Sequence, residues 1–202
     1  TELQKLGINR PQIIVTADPA FTIEPCSSSE VDRIFDKEGI VQDCPLIGFS
    51  VRNWDGNKSY VDVIAQAADY VCRKYNAKVV FIPMQHPDDL KIIKLIVSKM
   101  ECKGYVIENK YNISQVMGII SKLDMLAGMR LHALIFAISQ CVPVVGLVYQ
   151  PKVAWLLDYI EQPFASAGDV KTLDYENFKN VIDYVWENRF SIKEHLKEVT
   201  VN

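Results

Sequence analysis

The chain has 202 residues, 49% of them hydrophobic and 23% charged, with a formal net charge of −3. That length suits one sizeable α/β domain, or one domain plus a fragment of another. The mild acidity and the lack of a basic tract give a nucleic-acid partner no electrostatic footprint, and no apolar run approaches the roughly 18 residues of a membrane span.

The chain begins at Thr1, and "TELQKLGI" reads as the tail of a helix already in progress, with no signal peptide. This suggests the later part of a longer protein. "PQIIVTADPAF" predicts a short strand, Ile13 to Thr16, and then a turn at Asp18-Pro19. The polar stretch from Ser27 to Asp43 reads as a linker, so residues 1–43 form a leading segment and 44–202 the main domain.

From Pro45 a regular alternation begins. "LIGFSV" (Leu46–Val51), "KVVFIP", "GYVIEN", "LDMLAGM" and "PVVGLVY" are five short apolar strands. Between them lie helical patterns. Ile64, Ala67, Ala68, Val71 and Tyr75 share one face of the first. Leu90, Ile93, Val97 and Met100 share a face of the second, with Asp88 and Asp89 favourable at its start. Ile113, Val116, Met117 and Ile120 mark a short helix, "RLHALIFAISQ" another, and "KVAWLLDYI" a further one. The chain ends in helical sequence, with Phe178, Val181, Ile182 and Val185 facing inward. Strands alternating with helices make βαβ units and a parallel sheet. Strands apolar throughout are covered on both faces. The expected fold class is therefore α/β, a Rossmann-like parallel sheet.

Ligands of such sheets bind beyond the carboxyl ends of the strands, at the point where strand order reverses. Every strand end here carries polar side chains: Arg52 to Asp55, Gln85-His86, Glu108-Asn109, Gly128 to Arg130, and Tyr149 to Lys152. In the common order 3-2-1-4-5, strands one and four are neighbours about 5 Å apart, so Arg52 and Arg130 should flank one crevice. Two guanidiniums side by side repel unless an anion is expected, and each can fork onto a carboxylate or phosphate. Arg130 also opens a helix, where N–H groups favour anions, and Gly128 is expected to leave the backbone open to close approach. A plainer reading pairs either arginine with a local carboxylate, Asp55 or Glu108, as a loop brace. His132, in the first turn of the same helix, has the intrinsic pKa to move protons near neutrality. Gln85, His86, Asp89, Glu108 and Lys152 are weaker candidates at neighbouring strand ends. Trp54 could line a sugar pocket, and His195 is expected to face solvent.

Five cysteines, an odd number without C-x-x-C spacing, argue against zinc and a disulfide framework and for a reducing compartment, the cytoplasm. There is no G-x-G-x-x-G, Walker A, G-x-S-x-G or H-E-x-x-H sequence, so the usual dinucleotide, nucleoside triphosphate, esterase and zinc readings lack support.

The segment "MRLHALIFAISQCVPVVGLVYQPKV" resembles the signature of the polysaccharide pyruvyl transferase family: R-L-H-A, a small-residue helix, then P-V-x-x-L-x-Y-x-P-K. "VTADPAF", "IGFSVRNW" and "VVFIPMQHPDD" extend the likeness over nearly the whole chain. It is most similar to the bacterial CsaB-like enzymes, which place a pyruvate ketal on a secondary cell-wall polymer and so serve S-layer anchoring. One departure is Cys141, where the family commonly has a glycine-like residue. The resemblance implies a GT-B-like protein, with residues 1–43 the end of a preceding domain plus linker and 44–202 its C-terminal, donor-binding domain. It implies phosphoenolpyruvate as donor substrate, no cofactor and no metal. The acceptor would be a sugar, on a lipid-linked glycan, and the location the cytoplasm with peripheral contact at the inner membrane face. The family's donor-binding residues fall on Arg52, Arg130, Leu131 and His132, Leu131 through its backbone. His132 would be proton donor or phosphate ligand, and Asp18 a base for the sugar. Two alternatives stand beside this: a GT-B nucleotide-sugar glycosyltransferase or epimerase, and a donor-binding fragment inactive without its N-terminal domain.

Overall fold

The computed structural model describes residues 2–8, 10–14, 18–54 and 58–200. In chain order, a single turn α1 (Glu2–Lys5) and a 3-10 turn (Pro19–Thr22) precede α2 (Ser28–Glu38). Then come β1 (Leu46–Ser50), α3 (Ser59–Tyr75), β2 (Lys78–Phe81), α4 (Asp88–Val97), β3 (Gly104–Val106), α5 (Ile113–Ser121), β4 (Met125–Gly128) and α6 (Leu131–Ser139). β5 (Val144–Val148), α7 (Pro151–Tyr159), β6 (Ser166–Asp169), α8 (Tyr175–Glu187) and α9 (Arg189–Thr200) complete the described chain.

The strands form one parallel sheet in the order β3-β2-β1-β4-β5-β6. The order therefore reverses between β1 and β4, as expected. Their apolar side chains explain the covering on both faces: α3 packs against α4 and α8, while α5 packs against α2 and α6. Fully buried side chains such as Phe49, Phe81, Ile93 and Phe178 contribute about 1.5–3 kcal/mol each.

Four expectations change. The stretch Ser27 to Asp43 is not a bare linker: it holds α2, capped by the Ser27 hydroxyl on the Glu30 N–H, with Val31, Ile34 and Phe35 buried in the common core. A sixth strand, β6, extends the sheet; its four residues, SAGD, are too short and polar to stand out in sequence. The inner face of α4 is Asp89, Ile92, Ile93 and Ile96, turned by about one residue from the expected Leu90-Ile93-Val97 stripe. Of the strand expected at Ile13 to Thr16, Ile13 and Ile14 are irregular, and Val15 and Thr16 lie outside the described residues.

Candidate functional site

The register sets Ser50 of β1 opposite Gly128 of β4. Arg52 and Arg130 each lie two residues beyond, at the same end of adjacent strands. The Arg52 loop is held from beneath by Tyr60, fully buried on α3. Its hydroxyl donates to the Arg52 carbonyl at 3.3 Å and accepts the Trp54 N–H at 3.2 Å. The Arg52 guanidinium lies over the ring of Tyr149, 5.0 Å from its centroid, and Lys152 Nζ stands 5.7 Å from the same ring. Trp54 meets that ring edge-on, at 5.4 Å between centroids. Tyr149, at the end of β5, is thus a shared platform, with a guanidinium and an ammonium drawn to an aromatic face. Among the described residues Arg52 has no carboxylate partner, and Asp55, one brace expected for it, lies outside them.

Arg130 is placed differently. Its Nε donates to Asp89 Oδ2 at 3.0 Å, and Nη2 bonds both Asp89 Oδ1 and Gln85 Oε1, the latter at 3.0 Å. Asp89 is completely buried and also accepts the N–H groups of Met84 (3.1 Å) and Gln85 (2.9 Å). The brace considered for an arginine therefore exists for Arg130, supplied by neither Asp55 nor Glu108. Nη1 of Arg130 keeps no partner among the described residues, so the carboxylate orients the guanidinium and still leaves one nitrogen for a ligand.

His132, in the first turn of α6, is 60% exposed, with Nε2 4.0 Å from Asp18 Oδ2. Asp18 in turn caps the 3-10 turn Pro19–Thr22 by accepting the Ala20 N–H at 2.9 Å. The leading segment is thereby brought against the helix that carries the imidazole.

These side chains converge on a cleft of about 800 Å³ lined by Arg52, Gln85, Arg130, Leu131, His132 and Lys152. Three candidates, Gly128, Glu108 and His86, stand elsewhere. Gly128 is buried, and a Cβ there would meet Leu134 Cδ2 at 3.0 Å. It serves close packing of β4 on α6 rather than approach of a ligand. Glu108 faces solvent, its carboxylate 2.9 Å from Lys94 Nζ. His86 is half-buried off the cleft, with Nε2 unpartnered among the described residues. His195 does not simply face solvent, since Nε2 is 3.1 Å from the Ile160 carbonyl.

Sequence reasoning missed the cleft's apolar wall, built by Pro19, Ile23, Tyr111, Ile113, Val116 and Phe136. Ile113 and Val116 carry a signal in their helical spacing, but that spacing marks only a helix face and not what covers it, and Ile113 is 57% exposed. Tyr111 is fixed by Glu38, which accepts its hydroxyl at 2.7 Å and the Asn109 amide at 2.9 Å. Burial pushes the Glu38 pKa up, and those hydrogen bonds, with two backbone N–H groups, bring it net below its ordinary 4.5. Among the described residues no three His, Cys, Asp or Glu side chains cluster as a metal site needs.

The parallel order β3-β2-β1-β4-β5-β6 and the crevice at its switch point define a Rossmann-like α/β domain. Solved structures agree on the fold. The chain is 13% identical to the UDP co-structure of MnaA from S. aureus, with a TM-score of 0.69 over 98% of this chain and 52% of that one. A family 9 glycosyl transferase from Veillonella parvula is 19% identical, with a TM-score of 0.58 over 84% and 53%. The C-terminal domain of the group 1 glycosyl transferase LpcC from Francisella tularensis is 16% identical, with a TM-score of 0.61 over 92% and 97%. The chain spans about half the length of the first two. The family model described as polysaccharide pyruvyl transferase matches residues 2–151, and the chain belongs to that family. No curated protein matches it.

Proposed function

We propose that the cleft binds phosphoenolpyruvate and that the protein transfers its three-carbon unit to a sugar of a cell-wall or exopolysaccharide precursor, as a pyruvate ketal. The observation that carries this reading is the convergence of Arg52, Arg130, His132 and Lys152 on one cleft in a member of this family. The donor has a carboxylate and a phosphate, and a cation-rich cleft with one guanidinium oriented by a buried carboxylate suits such a ligand. His132 gives a proton to the methylene carbon, leaving a cation at the central carbon. An acceptor hydroxyl adds there, and phosphate departs with the electrons of its C–O bond. A second hydroxyl then closes the ketal. Of the two hydroxyl protons, one replaces that lost by His132 and the other leaves with phosphate. Asp18, 4.0 Å from His132, is placed to return the first. The apolar wall of Tyr111, Ile113 and Phe136 would take the acceptor ring.

The competing reading is a nucleotide-sugar site, favoured by likeness to a UDP-bound structure. Calorimetric titration separates the two. Phosphoenolpyruvate should bind and UDP-sugars should not. Arg52→Ala and Arg130→Ala should each weaken phosphoenolpyruvate about 10- to 100-fold, the scale of one charge-assisted contact. Unchanged affinity in both variants, with UDP-sugar binding to the unmodified chain, would overturn the assignment.

A further inference from the structure

Beside the cleft, on the far side of Arg52, Gln85 and Arg130, lies a second pocket of about 400 Å³. Its walls add Lys58, Asp88 and Lys91 to those three residues and Asp89. Of its two acids only Asp88 has charge left to balance the lysines. Asp89 is taken up by Arg130 and two backbone N–H groups, and Asp88 accepts the Gln85 amide at 3.1 Å. Lys58 and Lys91 make no ion pair among the described residues. Among the described residues, pairing Asp89 with Arg130 leaves three cations, Arg52, Lys58 and Lys91, against the single charge of Asp88. α3, a 17-residue helix, also starts at this pocket, with the positive end of its dipole toward it. A polar recess with surplus cations among its described residues suits an anion with several oxygens.

We infer that this smaller pocket is a phosphate subsite whose ligands are Lys58 and Lys91, together with Arg52. Placing the donor's phosphate in it rests on the reading of the main cleft above. In phosphoenolpyruvate the carboxylate and the phosphate ester sit on the same carbon. A donor straddling the Arg52–Arg130 ridge puts its phosphate among the lysines and its carboxylate on the cleft side. The central carbon then lies at the boundary, open to an acceptor in the larger cleft. Departing phosphate is left among cations and out of the acceptor's path. In this arrangement His132 stands as proton donor and not as phosphate ligand.

The test is calorimetric titration of the 202-residue chain and of Lys58→Ala, Lys91→Ala and the double variant, with phosphoenolpyruvate, inorganic phosphate and pyruvate. Both lysines are exposed, so melting temperatures should stay unchanged. Each single variant should weaken phosphoenolpyruvate and phosphate about tenfold, and pyruvate, which lacks the phosphate, should bind all forms equally. Lys→Arg changes should retain most of the affinity. A double variant that binds phosphoenolpyruvate within twofold of the parent removes the subsite, as does an equal loss for pyruvate. If phosphate binding depends on the lysines while phosphoenolpyruvate binds no form, the subsite stands and the donor reading falls.

Discussion

Arg130 shows how one buried carboxylate turns a flexible cation into an oriented one. Asp89 accepts four hydrogen bonds, two from the guanidinium and two from the backbone of the β2–α4 loop. Removing its charge leaves Arg130, only 17% exposed in its side chain, without its counter-ion. Breaking a buried pair costs about 3–5 kcal/mol. Asp89→Asn, which keeps shape and part of the bonding, should cost about 2–3 kcal/mol in urea unfolding. It should also weaken phosphoenolpyruvate, because the guanidinium loses its aim. A variant that unfolds like the parent and binds the donor equally would show that Asp89 orients nothing. The residue was visible in sequence as a helix-start acid, one of two adjacent aspartates. Which of the two turns inward depends on the rotation of α4, and an apolar stripe read one residue out of phase hid it.

At the scale of elements, helix ends carry information that the strand and helix pattern does not. α6 closes with the Cys141 N–H on the Ile138 carbonyl at 2.9 Å and the Val142 N–H on the Ala137 carbonyl at 2.8 Å, the paired bonds of a Schellman ending. Cys141 takes the left-handed backbone this requires, at φ 55. α2 ends in the same way at Gly39, φ 69, where the residue carries no penalty. The glycine-like residue expected at 141 by family resemblance thus has a physical reason. Left-handed backbone costs a side-chain-bearing residue about 1–2 kcal/mol, and glycine returns about 0.5–1 kcal/mol of that through unfolded-chain entropy. Cys141→Gly should therefore raise stability by about 0.5–1 kcal/mol in thermal or urea unfolding; a loss would mean that the half-buried thiol contributes more by packing than the backbone loses by strain.

For the molecule as a whole, distant elements are tied by carboxylates at the edges of the core. Asp183 on α8 accepts the Tyr70 hydroxyl at 2.9 and 2.8 Å and the Tyr75 hydroxyl, both from α3, and lies 2.8 Å from Lys74 Nζ. Burial pushes its pKa up, but Lys74 and the two hydroxyls outweigh this and hold it below its ordinary 3.8. Glu38, tying α2 to the loop after β3, is likewise lowered from 4.5. A carboxyl group depressed in the folded state adds stability that is fully present above its unfolded value and is lost as pH falls through the folded one. Stability should hold above about pH 5 and fall below about pH 4. Asp183→Asn with Glu38→Gln should flatten that acid limb while lowering stability at neutral pH. An acid limb as steep as the parent's would place the responsible groups elsewhere.

The sequence by itself determined the alternation of apolar strands and amphipathic helices, the parallel sheet with β1 beside β4, and hence the meeting of Arg52, Arg130 and His132 at one crevice. These follow from local periodicity and from the few topologies that βαβ units allow. Only the tertiary structure decided the rest. Asp89 and Arg130 are 41 residues apart in the chain, and no spacing rule selects one carboxylate from the several a strand end could meet. α2 read as polar linker because an amphipathic helix hides its buried face among charges. Whether Ile113 lines a cleft or fills a core depends on what packs over it. A charged side chain's partner, and an apolar one's exposure, are set by what the fold brings within a few ångströms, and that is not written in neighbouring residues.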